Sequence, residues 1–514
     1  MRTKAILMTV ALLATTFVAV GQAGSPAAAA GGSSGSSGSS GTRKVPLPAV
    51  EGPITSGRGT IALASTSIDL AAAGYEQAEY FISGTATSYT TPVDPGIDGR
   101  WTVTPADTSP YKTRVVVYRP IDPKRFSGTV YVEWFNVSGG LDAAPNWTLS
   151  HLEQMREGAA YVGVSAQRVG LVGNGKNPLI DAQTLHTVDP ERYATLDIPS
   201  DKYSYDIYSQ AGVAVRDPST PVLGGLHPKH LIAVGESRGA FYLTSYANAI
   251  VPTTVQIYDG FLLHSRAGSA PGFDGASFEE RRLPVTRIRT DLRVPVLTFT
   301  TESDLVLLGY AAARQPDSAR FRDWEVAGTG HYDPYGLGPA AKDTGDGTAD
   351  ATAFQTLITT VQSPYPGIID CAAPINAGPQ TYVLRAAVAA LDKWVTTGTP
   401  PPRAPHLELN PNDPKVYLTD ADGNAQGGIR TPHVDTPIAT LSGLGQSGSG
   451  YCFLFGTTKP FDAAKLADLY PSHKVFVREW NQAVRAAVRA GFVLPADAPA
   501  LEAAAAQSTI GGTP

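Results

Sequence analysis

Residues 231–239 end in a glycine-flanked serine in the setting of a nucleophile. The sequence L-I-A-V-G-E-S-R-G carries an apolar run directly into Gly235-x-Ser237-x-Gly239, and residues 240–250 have the composition of a packed helix. A sharp turn from a buried strand into a helix strains its central residue, and only small residues two positions away avoid a clash. The pattern therefore predicts a serine hydroxyl aimed at an acyl carbonyl. The alternative is a serine in an ordinary strand–helix turn.

Two later segments supply the groups that such a serine needs. Residues 293–304 (R-V-P-V-L-T-F-T-T-E-S-D) read as a buried strand ending in two carboxylates, and residues 321–331 (F-R-D-W-E-V-A-G-T-G-H) read as a strand followed by a histidine. The order serine, acid, histidine suits this type of turn. Each group follows a strand, at the edge where open parallel sheets place their functional residues. We therefore predict that His331 takes the proton of Ser237 and that an acid orients the imidazole.

Two carboxylates compete for the role of the acid. Asp304 is preferred because it lies past the end of the predicted strand, where a loop can reach the histidine. Glu302 is the alternative acid, since on a strand it would share the face of Asp304. Among the other histidines, His264 follows an apolar stretch and is the competitor for the base.

Several segments of the chain resemble a known family. The G-E-S-R-G turn resembles the nucleophile elbow of α/β-hydrolases, and the strand end V-P-V-L…E-S-D resembles their acid loop. From about residue 50 to the C-terminus the chain resembles secreted bacterial α/β-hydrolase-domain esterases, notably in W-F-N-V-S-G-G-L-D (134–142), W-E-V-A-G-T-G-H (324–331) and G-N-A-Q-G-G-I-R-T-P (423–432). The resemblance implies the α/β-hydrolase fold and hydrolase chemistry, but the natural substrates of that family are mostly undefined.

An acyl-transferring serine also needs two N–H groups that stabilise the developing oxyanion. The first is expected from the backbone of Arg238, the residue after the nucleophile, and the second from the loop after the third strand. Residues 129–136 (T-V-Y-V-E-W-F-N) read as that strand, and V-S-G-G follows. Val137 is the preferred second donor, with Asn136 and Ser138 as alternatives. The alternative is that the two glycines of V-S-G-G only form a turn and the loop supplies no donor.

The remaining pattern predicts the framework around these residues. Strand candidates alternate with helix candidates in a βαβα rhythm that indicates a mostly parallel sheet covered on both faces. A strand-rich segment precedes it, from about residue 45 to residue 135. The strand candidates are 159–165, 229–234, 254–262, 294–300 and 322–327, and the helix candidates are 147–157, 205–216 and 379–396.

The N-terminus predicts export. Basic residues precede an apolar stretch over 5–20 and small residues follow, so residues 1–30 read as a signal peptide and the protein as secreted. Residues 31–44 read as a Gly/Ser-rich linker. The predicted hydrolase core spans residues 45–400 with an insertion at 331–378, and residues 401–514 form a C-terminal extension packed on that core. An independent C-terminal domain is the alternative.

The two cysteines of the chain are Cys371, in the insertion, and Cys452, in the extension. An even pair in an exported protein predicts a disulfide, which would hold the extension near the histidine loop. Two unpaired buried thiols are the alternative.

Composition argues against several classes of function. The 514 residues are 42% apolar and 17% charged, as expected of a globular protein with ample core. A net charge of −6 without a basic run argues against nucleic acid as a partner. We predict no cofactor, no metal and no transmembrane segment, and leave the oligomeric state open. The predicted function is a secreted serine hydrolase that cleaves carboxylic esters through an acyl-enzyme; the alternatives are a secreted acyltransferase and a catalytically silent binding module.

Overall fold

A computed structural model describes residues 42–278 and 280–512 of the chain. The predicted signal peptide and most of the predicted linker lie outside the described residues. Within the two described ranges, no helix is both long and apolar enough to span a membrane.

One large sheet forms the centre of the described structure. Its nine strands lie in the order β1-β2-β3-β5-β4-β6-β7-β8-β9. The first three strands are antiparallel to their neighbours, and the strands from β5 to β9 along the sheet are parallel. The strands are β1 (Ala49–Glu51), β2 (Tyr75–Thr90), β3 (Thr104–Pro120), β4 (Thr129–Trp134), β5 (Ala160–Val164), β6 (His230–Glu236), β7 (Gly260–His264), β8 (Val296–Thr301) and β9 (Phe321–Val326).

Helices and short hairpins surround this sheet. The helices are α1 (Pro145–Arg156), α2 (Arg168–Val172), α3 (Pro178–Asp181), α4 (Leu185–Val188), α5 (Pro190–Tyr193), α6 (Ser204–Arg216), α7 (Arg238–Ser245), α8 (Glu302–Val306), α9 (Pro334–Leu337), α10 (Thr348–Thr359), α11 (Thr381–Thr397), α12 (Pro432–Asp435), α13 (Ala463–Leu469), α14 (His473–Ala490) and α15 (Ala498–Ala506). The small hairpin strands are β10 (Leu409–Asn410), β11 (Asp413–Tyr417), β12 (Ala439–Ser442) and β13 (Thr457–Pro460).

Alternate side chains of the parallel strands enter two separate cores. Val130 and Val132 of β4 pack with α6 and α7 on one face of the sheet, whereas Tyr131 between them packs with α1 and α11 on the other. Both faces of these strands are apolar because helices cover both. Because β4, β6, β8 and β9 run parallel to one another, their carboxyl ends lie at the same edge of the sheet.

Two predicted elements have different bounds in the structure. The strand predicted over 254–262 begins only at Gly260, because its ladder with β6 starts at the pair Ile232–Gly260. The helix predicted over 240–250 begins at Arg238 and changes at residue 246 into one turn of π-helix. Neither difference moves the predicted serine from the end of its strand.

The C-terminal extension shares a core with the preceding part of the chain. Phe354 of α10 and Tyr382 of α11 are buried in one apolar cluster with Phe476 and Trp480 of α14. These contacts favour the prediction that residues 401–514 are an extension rather than an independent domain, and its boundary remains a prediction.

Candidate active site

Ser237 lies in the sharp turn between β6 and α7. Its backbone has φ 49° and ψ −115°, a strained conformation for a residue with a Cβ atom. A Cβ added to Gly235 would lie 2.6 Å from the carbonyl carbon of Gly239, and one added to Gly239 would lie 2.5 Å from the carbonyl oxygen of Trp134. The close approach of the chain within the turn, and of α7 to β4, therefore explains why both flanking positions are glycine.

Three of the predicted side chains form a continuous hydrogen-bonded chain. The Ser237 hydroxyl donates to Nε2 of His331 at 2.9 Å, and Nδ1–H of His331 donates to Oδ1 of Asp304 at 2.5 Å. The other oxygen of Asp304 accepts from the backbone N–H and the hydroxyl of Thr301, both at 2.8 Å. His331 and Asp304 are fully buried and only 6% of Ser237 is exposed. The arrangement leaves Nε2 as the proton acceptor for the serine.

Burial and mutual attraction set the charge states of this pair. Burial raises the pKa of the Asp304 carboxyl, but the attraction of His331 and the hydrogen bonds outweigh it and hold the pKa below its usual range. Burial lowers the pKa of His331, yet the charge and hydrogen bond of Asp304 raise it above the usual value for histidine. An ionised Asp304 suits the stabilisation of an imidazolium ion.

Glu302, the alternative acid, points to a different part of the structure. The chain turns from β8 into the helix α8 at this residue, so Glu302 and Asp304 do not share a strand face. The Glu302 oxygens accept from the backbone N–H of Gly328 at 2.6 Å and of Gly443 at 2.7 Å. Burial raises the Glu302 pKa to about 7 despite these bonds. Glu302 thus connects the end of β8, by hydrogen bonds, to the loop after β9 that carries His331 and to the C-terminal extension.

His264, the alternative base, lies beside the triad with its ring engaged elsewhere. Its Nε2 is 2.8 Å from Oε1 of Gln380, and its Nδ1 is 3.3 Å from Oδ1 of Asn146. Burial lowers the His264 pKa to about 4. Its backbone carbonyl accepts from the N–H of Ser237 at 2.9 Å, so His264 supports the turn through its main chain.

The loop after β4 narrows the choice of the second oxyanion donor. The N–H of Asn136 donates to the carbonyl of Ala143 at 3.0 Å, and the N–H of Ser138 donates to Oδ1 of Asn136 at 2.7 Å. Across residues 42–278 and 280–512, the Val137 N–H has no hydrogen-bond acceptor. Arg238 is the first residue of α7 and directly follows Ser237, which is the position expected of the first donor. Val137 and Arg238 therefore remain the preferred pair.

The family of the chain follows from its match to one family model. The model of the alpha/beta hydrolase domain matches residues 50–503. The protein belongs to the α/β-hydrolase domain family. The predicted fold class is thereby confirmed, including its large, mostly parallel sheet.

A comparison with solved structures found several esterases that are similar to part of this α/β-hydrolase. They include a thermostable esterase from Pseudomonas putida (14% identity, TM-score 0.26, 54% of this chain and 81% of that one) and a fungal esterase from Rhizomucor miehei (12%, 0.25, 50% and 81%). Esterase Est22 is a third (13%, 0.28, 50% and 74%). The comparison with curated protein sequences found no match.

One buried carboxyl beside the triad was missed by the sequence reasoning. Glu236 is the last residue of β6 and directly precedes Ser237. Its Oε2 accepts from Nδ2 of Asn136 at 2.6 Å, and its Oε1 lies 3.4 Å from Nε2 of His331. The signal was present in the sequence, because a glutamate at the variable position of G-x-S-x-G must lie next to the serine.

The C-terminal extension of this α/β-hydrolase contacts two loops of the candidate active site. The predicted disulfide between Cys371 and Cys452 is present, with the two Cα atoms 5.3 Å apart. Next to it, the Tyr451 hydroxyl donates to the carbonyl of Ser138 at 3.0 Å, and the N–H of His331 donates to the carbonyl of Leu454 at 3.1 Å. The disulfide-linked segment thus contacts both the loop after β4 that carries Val137 (the oxyanion loop) and the loop after β9 that carries His331 (the histidine loop).

Replacing both Cys371 and Cys452 by serine is expected to lower the free energy of unfolding by about 2–5 kcal/mol, because the crosslink restricts the unfolded chain. Denaturant unfolding of the oxidised protein and the double variant measures this difference. A reductant should destabilise the wild type and leave the double variant unchanged. Equal free energies of unfolding for the two proteins would contradict the prediction.

Among the residues that the structure describes, one group has the composition of a metal site. It comprises Asp323, Glu325 and His406. Both oxygens of Glu325 accept hydrogen bonds from Arg314, at 2.6 and 2.5 Å. Because a bound cation would lie beside the guanidinium, the group is better explained as a network of ion pairs.

Proposed function

We propose that this α/β-hydrolase is a secreted serine esterase that cleaves carboxylic esters through an acyl-enzyme on Ser237. The observation that carries the proposal is the unbroken chain of hydrogen bonds from Ser237 through His331 to Asp304. A serine becomes a competent nucleophile when an adjacent, oriented base can take its proton.

Each group has a role in the proposed reaction. His331 takes the proton of Ser237 as the hydroxyl oxygen attacks the ester carbonyl, and the N–H groups of Arg238 and Val137 bind the oxyanion of the tetrahedral intermediate. His331 then gives its proton to the departing alcohol, which leaves the acyl group on Ser237. Water, activated by the same histidine, releases the acid and restores the enzyme. Asp304 holds the imidazole and stabilises its positive form throughout.

Two further features support the finer parts of the proposal. The resemblance to secreted bacterial esterases favours a carboxylic ester as the substrate, although the size of its acyl group remains open. The predicted signal peptide and the disulfide both favour an exported protein. Expression with residues 1–30 in a secreting bacterial host should place the protein outside the cytoplasm, with its N-terminus shortened. Retention of the full-length chain in the cytoplasm would contradict export.

The esterase activity can be tested with the purified chain. We expect a fluorophosphonate probe to label one serine and short p-nitrophenyl esters to be hydrolysed. Labelling and turnover should be lost in Ser237→Ala. Ser245→Ala provides a matched control, because Ser245 is a buried serine at the far end of α7, the helix that follows Ser237, and its hydroxyl donates to the carbonyl of Pro271. The absence of labelling and turnover in the folded protein would contradict the proposal.

A secreted acyltransferase with the same triad is distinguished by its products. In the presence of a competing alcohol or sugar, an esterase releases mainly the free acid, whereas a transferase forms a new ester. Quantifying the two products at equal ester consumption separates the functions.

A further inference from the structure

A carboxyl group without a full set of partners is buried next to the nucleophile. Glu236 is fully buried, and its Oε2 is fixed by the side-chain amide of Asn136. Its Oε1 accepts no hydrogen bond from residues in the described ranges. Leaving a buried carboxyl oxygen unpaired costs free energy. The cost needs a physical reason beyond packing.

The unpaired oxygen faces the reacting nitrogen of the base. Oε1 of Glu236 is 3.4 Å from Nε2 of His331, the same atom that accepts from Ser237 at 2.9 Å. Asp304 is hydrogen-bonded to Nδ1, the other nitrogen of the ring. The imidazole therefore lies between two carboxyl groups in a site with little exposure to water, where charges interact more strongly than in solution.

The amide of Asn136 fixes the direction of the Glu236 side chain. Its Nδ2 donates to Oε2 of Glu236, while its Oδ1 accepts from the N–H of Ser138 in the oxyanion loop. Asn136 thus holds one oxygen of the carboxyl and leaves the other directed at His331.

We propose that Glu236 is a positioning residue for the general base: its carboxylate stabilises the imidazolium that His331 becomes when it takes the Ser237 proton. The inference rests on the proposed function, because it assigns the base role to His331. The proton moves from Oγ of Ser237 to Nε2 of His331, and the new positive charge then lies between Glu236 and Asp304.

Burial and the neighbouring charges set the protonation of Glu236 and of His331. Burial raises the Glu236 pKa to about 7, against the attraction of His331 and the bond from Asn136, while the Asp304 charge raises it further. The phenol of Tyr332 also faces Glu236, and burial keeps its pKa well above the usual value, so it stays neutral. The Glu236 charge contributes to the raised pKa of His331. Removing that charge must therefore lower the pKa of His331.

Glu236→Gln tests the proposal in the full chain. We expect kcat/KM for a p-nitrophenyl ester to fall roughly tenfold at its plateau, with KM little changed, since one nearby negative charge is lost from the transition state. The acidic limb of the pH–rate profile should move to lower pH, because the base then stays neutral at lower pH. Glu236→Asp keeps the charge and should retain part of both properties.

Glu133→Gln is the matched control. Glu133 is a buried carboxyl of β4 that accepts from Asn146, Trp147 and the Tyr161 hydroxyl, and burial raises its pKa to about 7 as well. We expect Glu133→Gln to lower stability and leave the acidic limb in place. An equal shift of the limb in both variants would overturn the proposal, as would an unchanged profile in Glu236→Gln.

A measurement without substrate separates this inference from the proposed function. NMR of histidine-labelled protein gives the pKa of the His331 imidazole, assigned with the His331→Ala variant. The pKa should be lower in Glu236→Gln than in the wild type, and an equal value would overturn the role of Glu236. A wild type that cleaves no ester would contradict the esterase proposal alone, because the NMR comparison still decides whether Glu236 stabilises the imidazolium.

Discussion

Ser237→Ala is expected to lower ester turnover by about 10⁵–10⁶-fold, because the covalent route through the acyl-enzyme is lost. The residual rate should stay above that of the uncatalysed reaction, since the N–H groups proposed for the oxyanion remain in place. Steady-state hydrolysis of a p-nitrophenyl ester measures turnover, and fluorophosphonate labelling should vanish in the same variant. The alanine removes only the hydroxyl, so φ 49° of the turn remains possible.

Folding and contamination must be separated from this effect. The melting temperature of Ser237→Ala should stay close to that of the wild type, and Ser245→Ala should retain both labelling and turnover. A Ser237→Ala variant that keeps more than a small fraction of wild-type turnover would show that another residue is the nucleophile.

Asp304→Asn should lower turnover by about 10⁴-fold while the fold is retained, as expected when the acid of a serine triad loses its charge. The carboxylate accepts from Nδ1 of His331 and so keeps Nε2 free to accept from Ser237. An asparagine amide can donate to Nδ1, which favours the tautomer with a proton on Nε2. In that tautomer the histidine cannot take the serine proton.

Glu302→Gln is the matched comparison for this variant. Both oxygens of Glu302 accept backbone N–H groups, so the amide should cost stability, about 1–3 kcal/mol for one mispaired donor, with little loss of turnover. Turnover and denaturant unfolding, measured on both variants, separate the loss of the acid from a loss of stability. If Glu302→Gln abolishes turnover and Asp304→Asn leaves it near the wild-type value, the acid is Glu302.

The sequence pattern alone could not separate Glu302 from Asp304 as the acid. On a continued strand, two residues that are two positions apart share a face. The chain instead enters α8 at Glu302, with Thr301 as its N-terminal cap bonded to Asp304. Residues two apart on a helix differ by about 200° around its axis. The two carboxyls therefore diverge, and Asp304 alone of the two is bonded to the histidine.

Local chemistry determined what the sequence could predict by itself. The turn around Ser237 needs glycine at position 235 for a steric reason within the turn itself, because a Cβ there would meet the backbone of Gly239. A chain with two cysteines allows one intramolecular disulfide, and that pairing is present. The alternation of apolar strands and helices likewise predicted the sheet, because burial on both faces leaves a continuous apolar run in each strand.

Only the tertiary structure decided the contacts that join distant segments. Oε1 of Glu236 meets Nε2 of His331, and Tyr451 of the extension meets the carbonyl of Ser138, across 95 and 313 positions of sequence. The same holds for the N–H of Val137, whose neighbours in the loop are already bonded. Such contacts depend on the angle at which packed elements approach each other, to within an ångström. Residue type and spacing along one chain do not encode that distance locally, and it emerges only when the sheet, the loops and the extension are packed together.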